Sequence, residues 1–398
     1  MAGKPPGSTL SIAIVGGGIA GLTTGLALAR HGIPTVLFEQ AAAFSEIGAG
    51  LQLSPNATRI LGRLGVDAAL CELWHEPPRL DLRSGRDLRP LAHLPLGPAA
   101  RRRWHSPYAV IHRADLVAVL AQALEKTGLC RLLPATRYSD SDNPFERLAE
   151  LAGHPIDLII GADGVWSQMR KSIAGADDAR FTGRVAWRLS LEPSALAKLG
   201  IETDSLTAFF GPLSHLVAYP LPRRASMNLV AIADGRERSR DWSNTAGVAA
   251  ERDILLARFA RWTPVLRALL ADASEPTLWP IYEHARAAFG DGRRIALVGD
   301  AAHAMAPYAA QGAAMAIEDG FTLADSVASS DGNLAEALAR YAGKRAPRIA
   351  QVRRRAALNR FAYHAKGPAR LARDLVLSVR SPESLAADFD WLYAGTDA

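Results

Sequence analysis

Three groups of residues in this chain have the types and spacing to do chemistry. Gly16-x-Gly18-x-x-Gly21 stands between an apolar run, Ser11 to Val15, and a helix-periodic segment, Ile19 to about His31. Glycines so placed permit a tight turn and let a pyrophosphate sit on the N–H groups of a helix start. Glu39 closes the next apolar run, Thr35 to Phe38. A carboxylate there accepts from ribose hydroxyls. Together they specify a dinucleotide without saying which. Much later, Ile295 to Val298 leads into Gly299-Asp300, then His303, Pro307 and Gln311-Gly312, which opens another helix. The third group is His215-Leu-Val-Ala-Tyr219. On a strand, His215, Val217 and Tyr219 share one face, about 13–14 Å from first to last. An imidazole can accept a phenol's proton near neutral pH. A core histidine and a core tyrosine, each satisfied by backbone, form the competing account.

Periodicity indicates the elements that must position these groups. Residues 11–40 read as β-α-β, with Ile19, Leu22 and Leu26 on the helix's apolar face and Gly32 at its C-cap. Ile111 to Leu124 reads as a helix opened by His112-Arg113. Asp157 to Ile160 reads as a buried strand entering Gly161-Ala-Asp163-Gly164. Such pieces suit a parallel sheet with helical crossovers. Residues 181–235 alternate instead. Val185, Trp187 and Leu189 share one face of a strand, and Ala186, Arg188 and Ser190 the other. His215 to Leu221 and Met227 to Ala233 read as two strands joined by Pro222-Arg223-Arg224-Ala225. Residues 74–105 are turn-rich and strand-like. The chain finishes in helices, and Pro347 is expected to kink or break the one from Leu334 to Tyr363.

The 398 residues are 49% hydrophobic and 22% charged, enough for two or three packed units. No apolar run approaches the roughly 20 residues of a membrane span. Met1 to Ser8 lacks the apolar core of a signal peptide. Two cysteines, Cys71 and Cys130, without ligand-like spacing argue against a disulfide framework or a metal site and fit a reducing cytoplasm. The net charge is +6, with clusters at Arg101 to Arg103 and Arg353 to Arg355. Neither is interleaved with aromatics, so no nucleic-acid partner is expected, and Arg353 to Arg355 read as a solvated helix face. A basic surface also draws anionic cofactors and carboxylate substrates. There is no second glycine fingerprint of this kind, so either this nucleotide is the only tightly held one or a nicotinamide dinucleotide docks transiently on the surface.

In order along the chain, Gly16-x-Gly18-x-x-Gly21, Ala162-Asp163-Gly164-x-x-Ser167-x-x-Arg170 and Gly299-Asp300-Ala-Ala-His303 with Pro307 resemble the single-component flavoprotein aromatic hydroxylases, the p-hydroxybenzoate hydroxylase type. Gly48-Ala-Gly50-Leu-Gln52-Leu-Ser-Pro55-Asn56, Ala310-Gln311-Gly312 through Glu318-Asp319, and Asp390-Trp391-Leu392-Tyr393 resemble the branch of salicylate 1-hydroxylase, 3-hydroxybenzoate 6-hydroxylase and 6-hydroxynicotinate 3-monooxygenase. The resemblance covers nearly the whole chain. It implies an α/β fold: a Rossmann-like FAD-binding domain (1–73, 106–180 and 276–330), an inserted, mainly antiparallel substrate sheet (74–105 and 181–275) and a C-terminal helical region (331–398).

The resemblance also implies roles. Gly16, Gly18, Gly21 and Glu39 hold the adenosine half of FAD, and Arg113 lies near its ribose and pyrophosphate. Asp300 holds the ribityl and pyrophosphate region, and Asp163 supports FAD, although a turn carboxylate is the competing account of Asp163. Pro307 borders the flavin ring, and the backbone of Gly312, Ala313 and Ala314 faces its N1/O2 edge, where a helix start stabilises negative charge. Gln311 joins this catalytic loop, and His303 packs beside it. Gln52 stands where the hydroxynicotinate enzymes have histidine, which points towards hydroxybenzoate-type substrates. His215 and Tyr219 form the substrate pair; Arg188 and Arg83 have the charge to clamp a carboxylate, but an ordinary surface arginine is the default account of each. The expected enzyme hydroxylates a small aromatic such as a phenolic carboxylate, using NADH or NADPH and O₂ through a flavin C4a-hydroperoxide. Action on a non-aromatic or larger natural product is the alternative, and monomer versus homodimer stays open.

Overall fold

The computed structural model describes residues 10–44, 50–139, 141, 143–237 and 248–395. The N-terminal lead-in and Gly48-Ala49 lie outside the described residues. In chain order the strands are β1 (Ile12–Val15), β2 (Thr35–Phe38), β3 (Gly50–Leu53), β4 (Arg79–Ser84), β5 (Pro90–Pro95), β6 (Ala109–His112), β7 (Cys130–Leu133), β8 (Leu158–Gly161), β9 (Arg180–Leu191), β10 (Leu206–Gly211), β11 (Ser214–Leu221), β12 (Ser226–Asp234), β13 (Thr277–Glu283) and β14 (Ile295–Leu297).

The short apolar runs form a five-stranded sheet in the order β14-β8-β1-β2-β7. Every pairing in it is parallel. Parallel strands need crossovers and are buried on both faces, which explains runs such as Ile12 to Val15 without polar alternation. The helix Ile19–Arg30 lies between this sheet and the helix Gly312–Ala328, so it is buried nearly all round. Leu22, Leu26 and Leu28 belong to the main core. Each contributes about 1.5–3 kcal/mol of apolar burial.

The alternating segment forms a seven-stranded sheet in the order β13-β9-β12-β11-β10-β4-β5. Its pairings are antiparallel except β10 with β4. As expected, Val185, Trp187 and Leu189 share a face. They form a second core with Leu216, Leu229 and two helices, Val248–Arg258 and Pro264–Asp272. The opposite face carries Arg188, His215, Val217, Tyr219, Asn228 and Val230, and it looks towards the parallel sheet's unit. A small sheet of β3 and β6 bridges the two.

Three sequence expectations change. Ile111 and His112 end strand β6, and the helix starts at Arg113. Pairing with β3 claims Ile111 and His112 before the helix can. Residues 98–104 form a short helix inside the strand-like stretch. Pro347 does not break its helix, which runs from Leu334 to Tyr363. A helix-interior proline costs about 3 kcal/mol. Here the helix is held on both sides of Pro347 by buried Arg345 and Arg348, so tertiary bonds outweigh the local cost.

The two stacked helices approach closely at Gly320, where a Cβ would lie 2.6 Å from Thr24 Oγ1 and 2.9 Å from Thr24 N. At Gly343 a Cβ would meet nothing within 4 Å. Gly320→Ala should therefore lower the thermal unfolding midpoint, while Gly343→Ala should raise stability by up to about 1 kcal/mol through helix propensity. Equal effects from the two substitutions would contradict this packing.

Candidate active site

Parallel registration aligns the carboxyl ends of β1, β2, β8 and β14, where open α/β sheets bind ligands. Gly16 leaves β1 with φ +108, and a Cβ there would lie 2.3 Å from the Ala162 carbonyl oxygen. A side chain at Gly21 would lie 1.9 Å from the Gly16 carbonyl oxygen, so the helix can start this close only with glycine. Gly18 caps that helix without a side-chain bond, leaving backbone N–H groups at its start. Glu39 reaches the same loop: its carboxylate accepts from Gly17 N at 2.6 Å and Ala41 N at 2.7 Å. Asp300 is exposed after β14, at the first position of a short helix. Burial pulls the Arg113 guanidinium down, Asp300 counters that, and Arg188 adds to it, so these three charges share one region.

Asp163 acts within its own turn. It accepts from Ser167 Oγ, from Gln168 N at 2.7 Å and from Met169 N at 3.2 Å. Arg170, buried, donates to the Ala301 and Ala302 carbonyls at 3.1 and 2.9 Å. The motif thus braces the turn that carries Asp300 from behind.

The Gly312–Ala328 helix presents Gly312, Ala313 and Ala314 at its N-terminus, and the first intrahelical bond runs from Met315 N to the Gln311 carbonyl at 2.8 Å. Gln311 is buried. Its amide donates to Ser54 Oγ at 2.9 Å and accepts from Asn56 Nδ2 at 3.3 Å. Asn56 Nδ2 also donates to Glu318 at 2.7 Å. Glu318 and Asp319 are buried; Arg345 pairs with both, Arg348 with Glu318, and His303 is hydrogen-bonded to Asp319. Both carboxyls are held below their usual range by these partners against the cost of burial. Asp319 Oδ2 accepts from Gly299 N at 2.8 Å and from His303 Nε2 at 2.6 Å. One polar network therefore fixes the Gly299-Asp300 turn, the Gly312 helix start and the Ser54–Asn56 corner together. Arg348 extends it to the Trp391 and Leu392 carbonyls, each at 2.8 Å.

On β11, His215 and Tyr219 flank Val217 on one face and both are buried. His215 Nδ1 lies 2.8 Å from His364 Nε2, so one ring donates to the other. Its ring centroid is 5.5 Å from Tyr308 and 5.2 Å from Tyr363. Burial, then His364 and Arg184, hold His215 neutral, its pKa well below the ordinary value. His364 is pushed down to about 3 by burial, with Arg184 and Arg360 adding to it. Tyr219 packs over Gly50, where a Cβ would lie 2.5 Å from its Cε2. Burial raises the Tyr219 phenol, and nearby Arg188 only partly offsets that. Gly50 N donates to Asn228 at 3.2 Å, and Gln52 accepts from Tyr108 at 2.6 Å. Arg188 lies 4.4 Å over the Trp279 ring.

Pro307 opens a single 3-10 turn whose Tyr308 packs on the two histidines. No sequence motif marked His364, which lies 149 positions from His215. Arg188 was legible from strand alternation, and cross-strand register places Val230 and then Val217 beside it. The expected solvated face at Arg353 to Arg355 is corrected. Only Arg354 is exposed, because β13 and the C-terminal helices cover the rest.

Two outcomes follow from these buried groups. Arg345→Ala leaves two carboxylates under-compensated and should cost about 3–5 kcal/mol of unfolding free energy; a loss under about 1 kcal/mol by chemical denaturation contradicts the network's role. His364 is depressed in the folded state, so the unfolded chain binds its proton first. Stability is full above the ordinary histidine value of about 6.5 and falls as pH drops towards 3. His364→Gln should flatten the fall in thermal midpoint between pH 6.5 and 4, and an unaltered pH profile would rule this out.

The FAD binding domain family matches residues 9–356. The 3-amino-4-hydroxybenzoate 2-monooxygenase of Streptomyces platensis is 34% identical over 386 residues, 96% of this chain and 95% of that protein. The 3-hydroxybenzoate 6-hydroxylase of Klebsiella oxytoca is 33% identical over 386 residues, again 96% and 95%. A solved salicylate hydroxylase substrate complex shares the fold, with a TM-score of 0.79 at 24% identity over 98% of this chain and 96% of that one. With an FAD-binding family spanning most of its length and monooxygenases aligned almost end to end, this chain belongs to the FAD-dependent flavoprotein monooxygenases.

Proposed function

We propose that the enzyme hydroxylates a small aromatic acid carrying a phenolic hydroxyl, with NAD(P)H and O₂ as co-substrates. The observation that carries this reading is the inner face of the seven-stranded sheet. Val217 and Val230 make an apolar floor, with His215 on one side, Tyr219 and Asn228 on the other, and Arg188 beyond Val230. A flat ring suits that floor, a carboxylate suits the guanidinium, and a phenol suits the imidazole. The hydroxybenzoate names of the aligned relatives support the same class.

The residues at the carboxyl edge of the parallel sheet fit FAD. The glycine cradle excludes side chains, Glu39 stands at a ribose position, and a free helix start follows Gln311. Gly16, Gly18, Gly21 and Glu39 would hold the adenosine half, supported by the Asp163 turn. Arg113, Asp300 and Gln52 would hold the centre, and Pro307 with Gly312, Ala313 and Ala314 the ring. When bound, FAD supplies the redox and oxygen chemistry. The protein's part is charge and position. A neutral His215 offers a ring nitrogen that accepts a hydrogen bond from the phenol and draws electron density into the ring, while burial holds back full transfer of the proton. Tyr219 stays protonated and acts as a donor. The helix start stabilises negative charge.

In this reading segments 1–73, 106–180 and 276–330 serve the cofactor, 74–105 and 181–275 the substrate, and 331–398 braces both. No described helix is long and apolar enough to cross a membrane. Free Cys71 and Cys130 support a cytoplasmic setting.

Purified holoenzyme should oxidise NAD(P)H faster when hydroxybenzoates or salicylate are added, with a hydroxylated product. Stimulation by none of them removes the aromatic-acid reading. His215→Asn should lower turnover about 10²–10⁴-fold while FAD content is retained; wild-type turnover would take His215 out of the chemistry.

A further inference from the structure

A cleft of about 250 Å³ lies against the segment that ends in Pro307, between Ala304 to Ala306, the end of β13 and the helix Leu334–Tyr363. Arg353, Arg360, His284, Glu283 and Tyr308 line it. Arg353 spends one nitrogen on the Ala285 carbonyl at 3.1 Å. Its Nε and Nη2 are buried with no partner among the described residues. His284 is 3% exposed, and neither of its ring nitrogens has a partner among the described residues. The buried Tyr308 hydroxyl is in the same position.

Each buried donor left unmatched costs about 1–3 kcal/mol. Three residues carrying such groups, Arg353, His284 and Tyr308, line one cleft, and a side-chain turn towards it would match them with a ligand rich in acceptor oxygens. Arg353 and Arg360 set its charge as negative. His284 is pushed down to about 4, by burial first and then by Arg170, Arg353 and His303 against Asp177, so it is a neutral partner. Glu283 shares the wall and would repel a bare anion, yet it can accept from a hydroxyl beside the charge. A sugar diphosphate combines these properties. The chain has no second glycine fingerprint, so a nicotinamide dinucleotide must find its diphosphate contacts outside a Rossmann turn. This cleft shares a backbone segment with Pro307, the residue assigned to the flavin border.

We propose that the Arg353–Arg360–His284 cleft is the docking site for the diphosphate of NAD(P)H. The proposal rests on the reading that the enzyme consumes NAD(P)H, and its test does not depend on turnover. ADP-ribose, which carries the diphosphate and cannot reduce flavin, is titrated into FAD-loaded protein by calorimetry. Wild type should bind it, inorganic diphosphate should compete, and Arg353→Gln and Arg360→Gln should each weaken binding at least tenfold. FAD content and the flavin spectral shift on adding an aromatic acid should stay as in wild type. Absence of ADP-ribose binding in wild type, or unchanged affinity in both variants, overturns the proposal. Loss of aromatic-acid affinity in place of ADP-ribose affinity also overturns it and makes the cleft a substrate site. If ADP-ribose binds as described but NAD(P)H is not oxidised, the docking site stands and the hydroxylase reading falls.

Discussion

Glu318 and Asp319 are adjacent carboxylates buried in the middle of a helix, and the rest of the site depends on how they are compensated. Two charges out of water demand close, well-directed partners. They receive Arg345 and Arg348 from the helix Leu334–Tyr363, His303 and the Gly299 N–H from the turn after β14, and Asn56 from the β3 corner. Because these partners come from three different segments, satisfying the carboxylates fixes those segments relative to one another. The Gly312 helix start is one end of the same helix, so its N–H groups are aimed by the same bonds.

The two sheets divide the labour by their burial. The parallel sheet is covered on both faces, and Gly16, Glu39 and Asp300 emerge at its carboxyl edge. The seven-stranded sheet has one face sealed by the Trp187, Leu216 and Phe259 core. Polar residues can stand on the other face because it meets the parallel sheet's unit and not bulk apolar core. Burial there has an electrostatic effect: it keeps His215 neutral and Tyr219 protonated on one strand.

Where local signals and tertiary bonds agree, the fold was legible. The β-α-β start, the Val185/Trp187/Leu189 alternation and the β11–β12 hairpin all match their patterns. Where they compete, local reading failed for identifiable reasons. Strand pairing with β3 took Ile111 and His112 from a helix, and ion pairs at Arg345 and Arg348 carried a helix through Pro347. Arg353 looked solvated because its neighbours in sequence are arginines, but its neighbours in space include Ala285.

The sequence alone determined the nucleotide fold, the glycine cradle and the strand face carrying His215 and Tyr219. These depend on residue type at short spacing, on which backbone geometry acts directly. Only the tertiary structure decided what those residues touch. It brought His364 to His215 across 149 positions, bound Gln311 and Asn56 into one network, and gathered Arg353 and His284 around a cleft. Such contacts depend on how whole elements pack, and no local pattern in the chain encodes the distance between two elements that meet only when the core closes.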